Sequence, residues 1–249
     1  GKFEHSEHGP MVSLYDEKGE PRLMLAAIPG APGMSIFNEN GKAGVSIMVT
    51  EAGPALTLAD GASGAKIEYT VTKSGPVSAM TDIHGKPRMM VAVEEGESFF
   101  VMADKTGTPR LLSQIRGAGF PAFTLQDEKG HPRNVLRLAE TGPELIQSDK
   151  NAKIRCVQRV SESGPGLILH DKSGKARAMF GIPDQTGPAL VLYGEQDKPG
   201  AVLSVGKLEI RDNESKYVAR LEADKTGPGL NLRGGKGKES ACLCVFEGT

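Results

Sequence analysis

Glu4-His5-Ser6-Glu7-His8 is the densest cluster of metal-ligating residue types in the chain. His5 and His8 with a carboxylate suit a borderline metal, but the spacing implies no third protein ligand, so the segment reads as a polar terminus. Cys242-Leu243-Cys244 is a C-x-C in a strand-like run, where alternation puts both thiols on one face and within reach of one ion. Cys242 also fills a slot that Met24, Met90, Val135 and Met179 fill in other copies of a repeat, which makes it a packing residue. With Cys156 the cysteine count is odd and the spacing forms no disulfide framework. His84, His131 and His170 pair with no nucleophile by spacing, and the chain has no G-x-S-x-G elbow. Arg233-Gly234-Gly235-Lys236-Gly237-Lys238 lacks the G-K-[ST] spacing of a phosphate loop and reads as a turn. No catalytic residue, cofactor or metal is therefore expected, and the chain reads as a non-enzyme.

Two charged types recur at a fixed interval. Asp16, Asn38, Asp60, Asp82, Asp104, Asp127, Asp149 and Asp171 mark one slot of a repeat of about 22 residues. One turn aspartate per copy supplies too few oxygens for a closed calcium site, and the nonapeptide spacing of calcium-binding rolls is absent. Arg22, Arg88, Arg110, Arg133, Arg155 and Arg177 mark a second slot. If Arg88, Arg110, Arg133, Arg155 and Arg177 share a face, they form a candidate interaction face for an anionic glycan, nucleic acid or a protein. The competing reading, favoured by the charge balance, lays each arginine stem along the sheet and pairs its head with a local acid.

The elements that position these side chains follow from the same repeat. Two apolar residues lie four and two places before six of these eight slots: Val12 and Leu14, Met34 and Ile36, Leu56 and Leu58, Phe100 and Met102, Phe123 and Leu125, Leu167 and Leu169. Such short period-two alternation predicts a strand. Asp-x-x-Gly follows, as in Asp16-Glu17-Lys18-Gly19 and Asp171-Lys172-Ser173-Gly174. The aspartate accepts from the backbone two residues on, and the glycine supplies the positive φ that closes a bulged hairpin turn. In the copy at Asp149, Asn151 is the expected left-handed residue. A second strand starts at the Arg slot and most copies close at Gly-Pro, as at Gly53-Pro54 and Gly75-Pro76, where a missing N–H suits a strand start. Helical periodicity is absent.

The predicted fold is all-β: about eleven copies with two strands each, in an elongated antiparallel hairpin meander. The alternative is a parallel β-solenoid, which stacks equivalent positions about 4.8 Å apart and so lines up like charges unfavourably. Residues 1–8 read as an N-terminal tail and 9–249 as a single β-repeat domain. The irregular copies from Tyr193 to Lys216 read as drift at exposed turns or as an interruption of the stack. The composition agrees: Gly (32) and Pro (16) fall at fixed turn places, and aromatics reach only 5% of 249 residues. Lys+Arg (30) and Asp+Glu (31) nearly cancel and interleave, which argues against a nucleic-acid partner. No apolar run approaches 18 residues, so no transmembrane segment is expected. The chain opens at Gly1 and is read as a processed or trimmed product, so the lack of a signal peptide is silent on compartment.

The unit Leu-x-Leu-x-Asp-x-x-Gly-Lys-x-Arg, seen at Leu167 to Arg177 and approximately at Val12 to Arg22, resembles a repeat of uncharacterised bacterial proteins. Leu14-Tyr15-Asp16-Glu17-Lys18-Gly19 also resembles the YD repeats of bacterial surface and toxin-shell proteins. These resemblances imply a bacterial protein of the envelope or extracellular space and carry over no catalytic residue. The expected function is a structural scaffold that docks a protein partner or larger assembly. The alternative is a binding module for a glycan or other polar polymer.

Overall fold

A computed structural model describes residues 1–6, 9–117, 119–212, 218–224, 227–234 and 239–245. Among these residues there are twenty-three strands and no helix, and the chain divides into two compact units, Gly1–His131 and Pro132–Thr249. Only one repeat domain was expected over 9–249, and the sequence repeat itself runs through the boundary.

The first unit opens with β1 (Lys2–Ser6), β2 (Gly9–Tyr15), β3 (Pro21–Ala26) and β4 (Gly33–Phe37). It continues with β5 (Ala43–Thr50), β6 (Gly53–Ala59), β7 (Lys66–Thr72) and β8 (Gly75–Thr81). It ends with β9 (Pro87–Glu94), β10 (Glu97–Ala103), β11 (Pro109–Arg116) and β12 (Phe120–Gln126). The second unit holds β13 (Pro132–Ala139), β14 (Gly142–Ser148), β15 (Ile154–Ser161), β16 (Gly164–His170) and β17 (Ala176–Gly181). After these come β18 (Ala189–Tyr193), β19 (Pro199–Ser204), β20 (Lys207–Arg211), β21 (Val218–Asp224), β22 (Gly227–Arg233) and β23 (Glu239–Cys244).

Within each unit every strand pairs antiparallel with the next one in sequence, so the fold is the hairpin meander and not the solenoid. One expectation needs correction. Lys2–Ser6, read as part of a tail, is a strand hydrogen-bonded along β2, with Phe3 opposite Val12 and His5 opposite Pro10. Glu7 and His8 lie outside the described residues. The copy beginning at Tyr193 does not interrupt its unit. Gly194 N–H donates to Lys198 at 2.9 Å, and β18 and β19 pair across this turn.

The turns form as their residue types dictate. The Asp16 Oδ1 accepts from the amides of Lys18 and Glu20, both at 2.9 Å, and the Gly19 N–H returns to the Asp16 carbonyl at 3.1 Å. Gly19 has φ 83°. The pairing register slips by one residue just before the aspartate, between Leu14 and Tyr15, which is the bulge that such a turn requires. The same slip recurs at Met80/Thr81, Met102/Ala103 and Leu169/His170. In the copy at Asp149 the left-handed residue is Ala152 (φ 59°), not Asn151. Asn151 instead donates its amide to the Asp149 Oδ1 at 2.9 Å. The side-chain bond fixes which turn residue must take positive φ, and the preference of Asn for that region does not override it.

The glycine of each Gly-Pro corner has a reason beyond its φ. A Cβ on Gly53 would stand 1.8 Å from the Val71 carbonyl oxygen, and one on Gly75 would stand 1.8 Å from that of Val93. The next strand, β7 beside Gly53 and β9 beside Gly75, brings its main chain against the corner, so only hydrogen fits there.

Candidate functional site

The pleat sorts the side chains onto two faces of different chemistry. The first carries the arginine and aspartate slots. Arg177 Nε donates to the Asp171 Oδ2 at 2.7 Å, and its Nη1 reaches the carbonyl of Gly194 in the next turn. Arg155 bridges the Asp149 Oδ2 (3.2 Å) and the His170 carbonyl (3.0 Å). Arg110 bridges the Asp104 Oδ2 (3.3 Å) and the Gln126 carbonyl (2.9 Å). Arg22 does the same between Asp16 and Asn38, and Arg88 pairs with Asp82 at 3.1 Å. Each of the four bridging arginines thus ties the carboxylate of its own turn to the main chain of the next copy. The guanidinium fork suits this, because it has several donors held in one plane.

These contacts set the acidity of the turn carboxylates. In Asp104 the Thr106 hydroxyl leads, the Thr106 amide and Arg110 add to it, and the carboxyl is held down at about 2. The hydroxyl of Ser173 does most of the same work at Asp171, with Arg177 reinforcing it, and the carboxyl lies well below the usual carboxylate range. In Asp82 the amide of Lys86 is the main influence, again downward. Of the five arginines of the candidate interaction face, Arg88, Arg110, Arg155 and Arg177 are thereby engaged locally. Arg133 also has an interaction of its own.

One denser charge cluster lies on this face of the second unit. Glu209 on β20 is 1% exposed. It receives Lys207 at 2.8 Å and Arg220 of β21 at 2.9 Å, and Arg211 lies against its other oxygen. Burial alone would raise the Glu209 carboxyl, but the three cations overcome it and hold the group at about 2. A carboxylate clamped in this way is neither a proton donor nor a base near neutral pH. At the last strand the Cys242 and Cys244 sulfurs lie on this face, 2.9 Å apart. Cys242 stands opposite Asn231 in the row that holds Val135 and Met179 further back, the slot expected from the repeat. No group of three or more His, Cys, Asp or Glu side chains gathers among the described residues.

The second face is apolar and uncovered. In the first unit one row runs Leu14–Leu23–Ile36–Val45–Leu58–Ile67 and continues Met80–Met89–Met102–Leu111–Leu125, each directly opposite the next across the ladder. In the second unit the corresponding row includes Leu136, Leu145, Leu167, Phe180, Leu190 and Leu203, and passes through Leu208, Leu221 and Leu230 to Leu243. No charged side chain interrupts either row. Positions across this face remain open: Ile36 of the first row is 42% exposed, Leu25, Ile47 and Val91 of the row beside it are 43%, 46% and 47%, and Leu203 of the second unit is 51%. The cause lies in the topology. Within each unit, among the described elements, only strands adjacent in sequence touch, so neighbours shield the flanks of a side chain and no other element of that unit lies over its tip. Ala92 is the one buried apolar residue among those described.

Sequence reasoning found the first-strand residues of this face, such as Leu14, Leu58 and Leu125, as half of an alternating strand but gave no sign that the face stays bare. The signal lay in the sequence pattern: helical periodicity is absent, and one kind of hairpin recurs. No protein-family model matches the chain, and a search of curated proteins finds no match.

Proposed function

We propose that the protein is a non-enzymatic scaffold that docks other proteins through the apolar face of its strand meander, within a bacterial envelope assembly. The observation that carries this reading is the charge-free apolar face itself. Burying one Leu, Ile or Val side chain contributes about 1.5–3 kcal/mol, and roughly half of that remains unrealised at each half-exposed position. Exposed apolar patches beyond a few hundred Å² mark interaction sites in soluble proteins. The opposite face offers less to a charged polymer, because its arginines are engaged by their own turn aspartates and by main-chain carbonyls. That favours protein docking over the glycan or polar-polymer reading. The envelope setting rests on the sequence resemblance.

Affinity capture from the source organism tests the reading with two variants. Ile47→Lys places a charge on the apolar face, and Arg110→Ala removes one arginine bridge. The expected result is that captured protein is lost with Ile47→Lys and retained with Arg110→Ala. Loss with Arg110→Ala alone, or recovery of polysaccharide in place of protein, overturns it.

A further inference from the structure

The repeat makes the apolar face of the first unit complementary to itself, and we infer that its occupant is the same face of a second copy of this chain. This rests on the docking role proposed above and names the partner. Any sheet packed here must match strands spaced about 4.8 Å apart over the ten steps from β2 to β12, roughly 48 Å, with about three side chains per strand. A second copy has that pitch by construction. A pairing centred on β9 overlays β6 to β12 of one copy on β12 to β6 of the other, six steps or about 29 Å by 17 Å, and removes roughly 500 Å² of plane from each copy before side-chain relief is added, which brings the pair to about the 1,000 Å² that a specific interface clears. Neither copy meets a charge in its apolar rows.

The pattern along one row also fixes the symmetry. Opposite one another in succession lie Tyr69, Ser78, Val91, Phe100, Ser113 and Phe123, on β7 to β12. Small serines alternate with large rings, giving holes beside knobs. A two-fold axis between the sheets, parallel to the strands and passing Val91 on β9, lays β8 over the partner's β10 and β7 over the partner's β11. Ser78 of each copy then faces Phe100 of the other, and Ser113 faces Tyr69. An isologous interface has this reciprocal form, in which i meets j and j meets i. Val91 meets itself on the axis.

Sedimentation equilibrium of the full chain tests this with three variants. The chain is expected to dimerise. Val91→Lys, which sets two ammonium groups against each other on the axis, should raise the dissociation constant at least about a hundredfold. Ser113→Phe fills the hole opposite Tyr69 and should weaken the dimer about tenfold, and adding Tyr69→Ser should restore it. Within one chain β7 and β11 are about 19 Å apart, so that rescue requires contact between copies. Circular dichroism confirms that each variant keeps its strands. A dimer unaffected by Val91→Lys, or a Ser113→Phe defect that Tyr69→Ser leaves in place, overturns the proposed pairing. A chain that stays monomeric while its face binds an apolar dye overturns the second copy but leaves the docking role standing. A monomer that binds no such dye overturns both.

Discussion

Ala152 occupies the turn slot that Gly19, Gly85, Gly107, Gly130 and Gly174 fill in other copies, and it holds φ 59° with a Cβ. A left-handed conformation costs an L-residue roughly 1–2 kcal/mol, of which glycine returns about half through its freer unfolded chain. Ala152→Gly is therefore expected to stabilise the β14–β15 hairpin by about 0.5–1 kcal/mol. Slower amide exchange across Gln147 and Cys156 would show it, and faster exchange would mean that the strain is absent. The turn carboxylates respond to acid by the same local logic. Asp104 titrates at about 2, first through the Thr106 hydroxyl. An unfolded aspartate titrates near 3.9. Because the folded value is the lower one, the stabilisation is complete above about 4 and disappears as the pH falls through about 2. Carboxyl resonances of Asp104 should report this midpoint, and Thr106→Val should move it upward. A midpoint near 4 in the parent chain would refute the hydroxyl contact.

At the scale of the element, the hairpin was legible in the sequence. Leu14 and Leu23 alternate with Ser13 and Met24, Asp16 and Gly19 close the turn, and the structure pairs them as that pattern requires. The solenoid lost because a bulged three-residue turn reverses the chain within one plane. Three features were not legible. Lys2–Ser6 is short and half charged, so its pairing with β2 depends on the open edge of that strand and not on its own propensity. Bare and covered apolar faces produce the same alternation, so exposure has no local sequence signature. The third is the Gly-Pro corner, where proline was read correctly as a strand start but glycine looked like any flexible joint. Its need for hydrogen comes from a carbonyl eighteen residues away, as that of Val93 on the paired strand stands against Gly75. Two substitutions separate φ from close approach. Gly107 has φ 86°, and a Cβ added to it would meet nothing within 4 Å. Gly75 has φ 140°, and its Cβ would meet the Val93 oxygen at 1.8 Å. Gly107→Ala should cost about 0.5–1 kcal/mol, and Gly75→Ala a further 1–3 kcal/mol or so because backbone must move. Denaturant midpoints of the two variants measure the difference, and equal losses would show that φ alone selects glycine at the corners.

At the scale of the molecule, a unit in which each strand touches only its sequence neighbours behaves as a one-dimensional array, with stability summed over copies and their junctions. Copies are then removable in whole units. Arg88 and Arg110 occupy the same slot, so deleting residues 89–110 joins Arg88 to Leu111 without changing which face any later side chain takes. The new strand keeps Arg88 beside Asp82 and meets β8 on one side and β12 on the other. That chain is expected to keep its β circular dichroism and to unfold cooperatively, at a midpoint only slightly below the parent. Deleting residues 89–109 instead leaves one residue too many and turns Leu111, Ser113 and Ile115 to the charged face, since pleated side chains alternate with period two. It should fold poorly. The pair of deletions also isolates assembly from folding. The in-register deletion removes Val91 and Phe100, the centre of the proposed two-fold contact, while leaving the array intact. It should therefore sediment as a folded monomer at concentrations where the parent pairs. A folded, equally dimeric deletion would locate the contact elsewhere on the apolar face, because in a nearest-neighbour array the loss of two inner strands alters nothing beyond their own junctions.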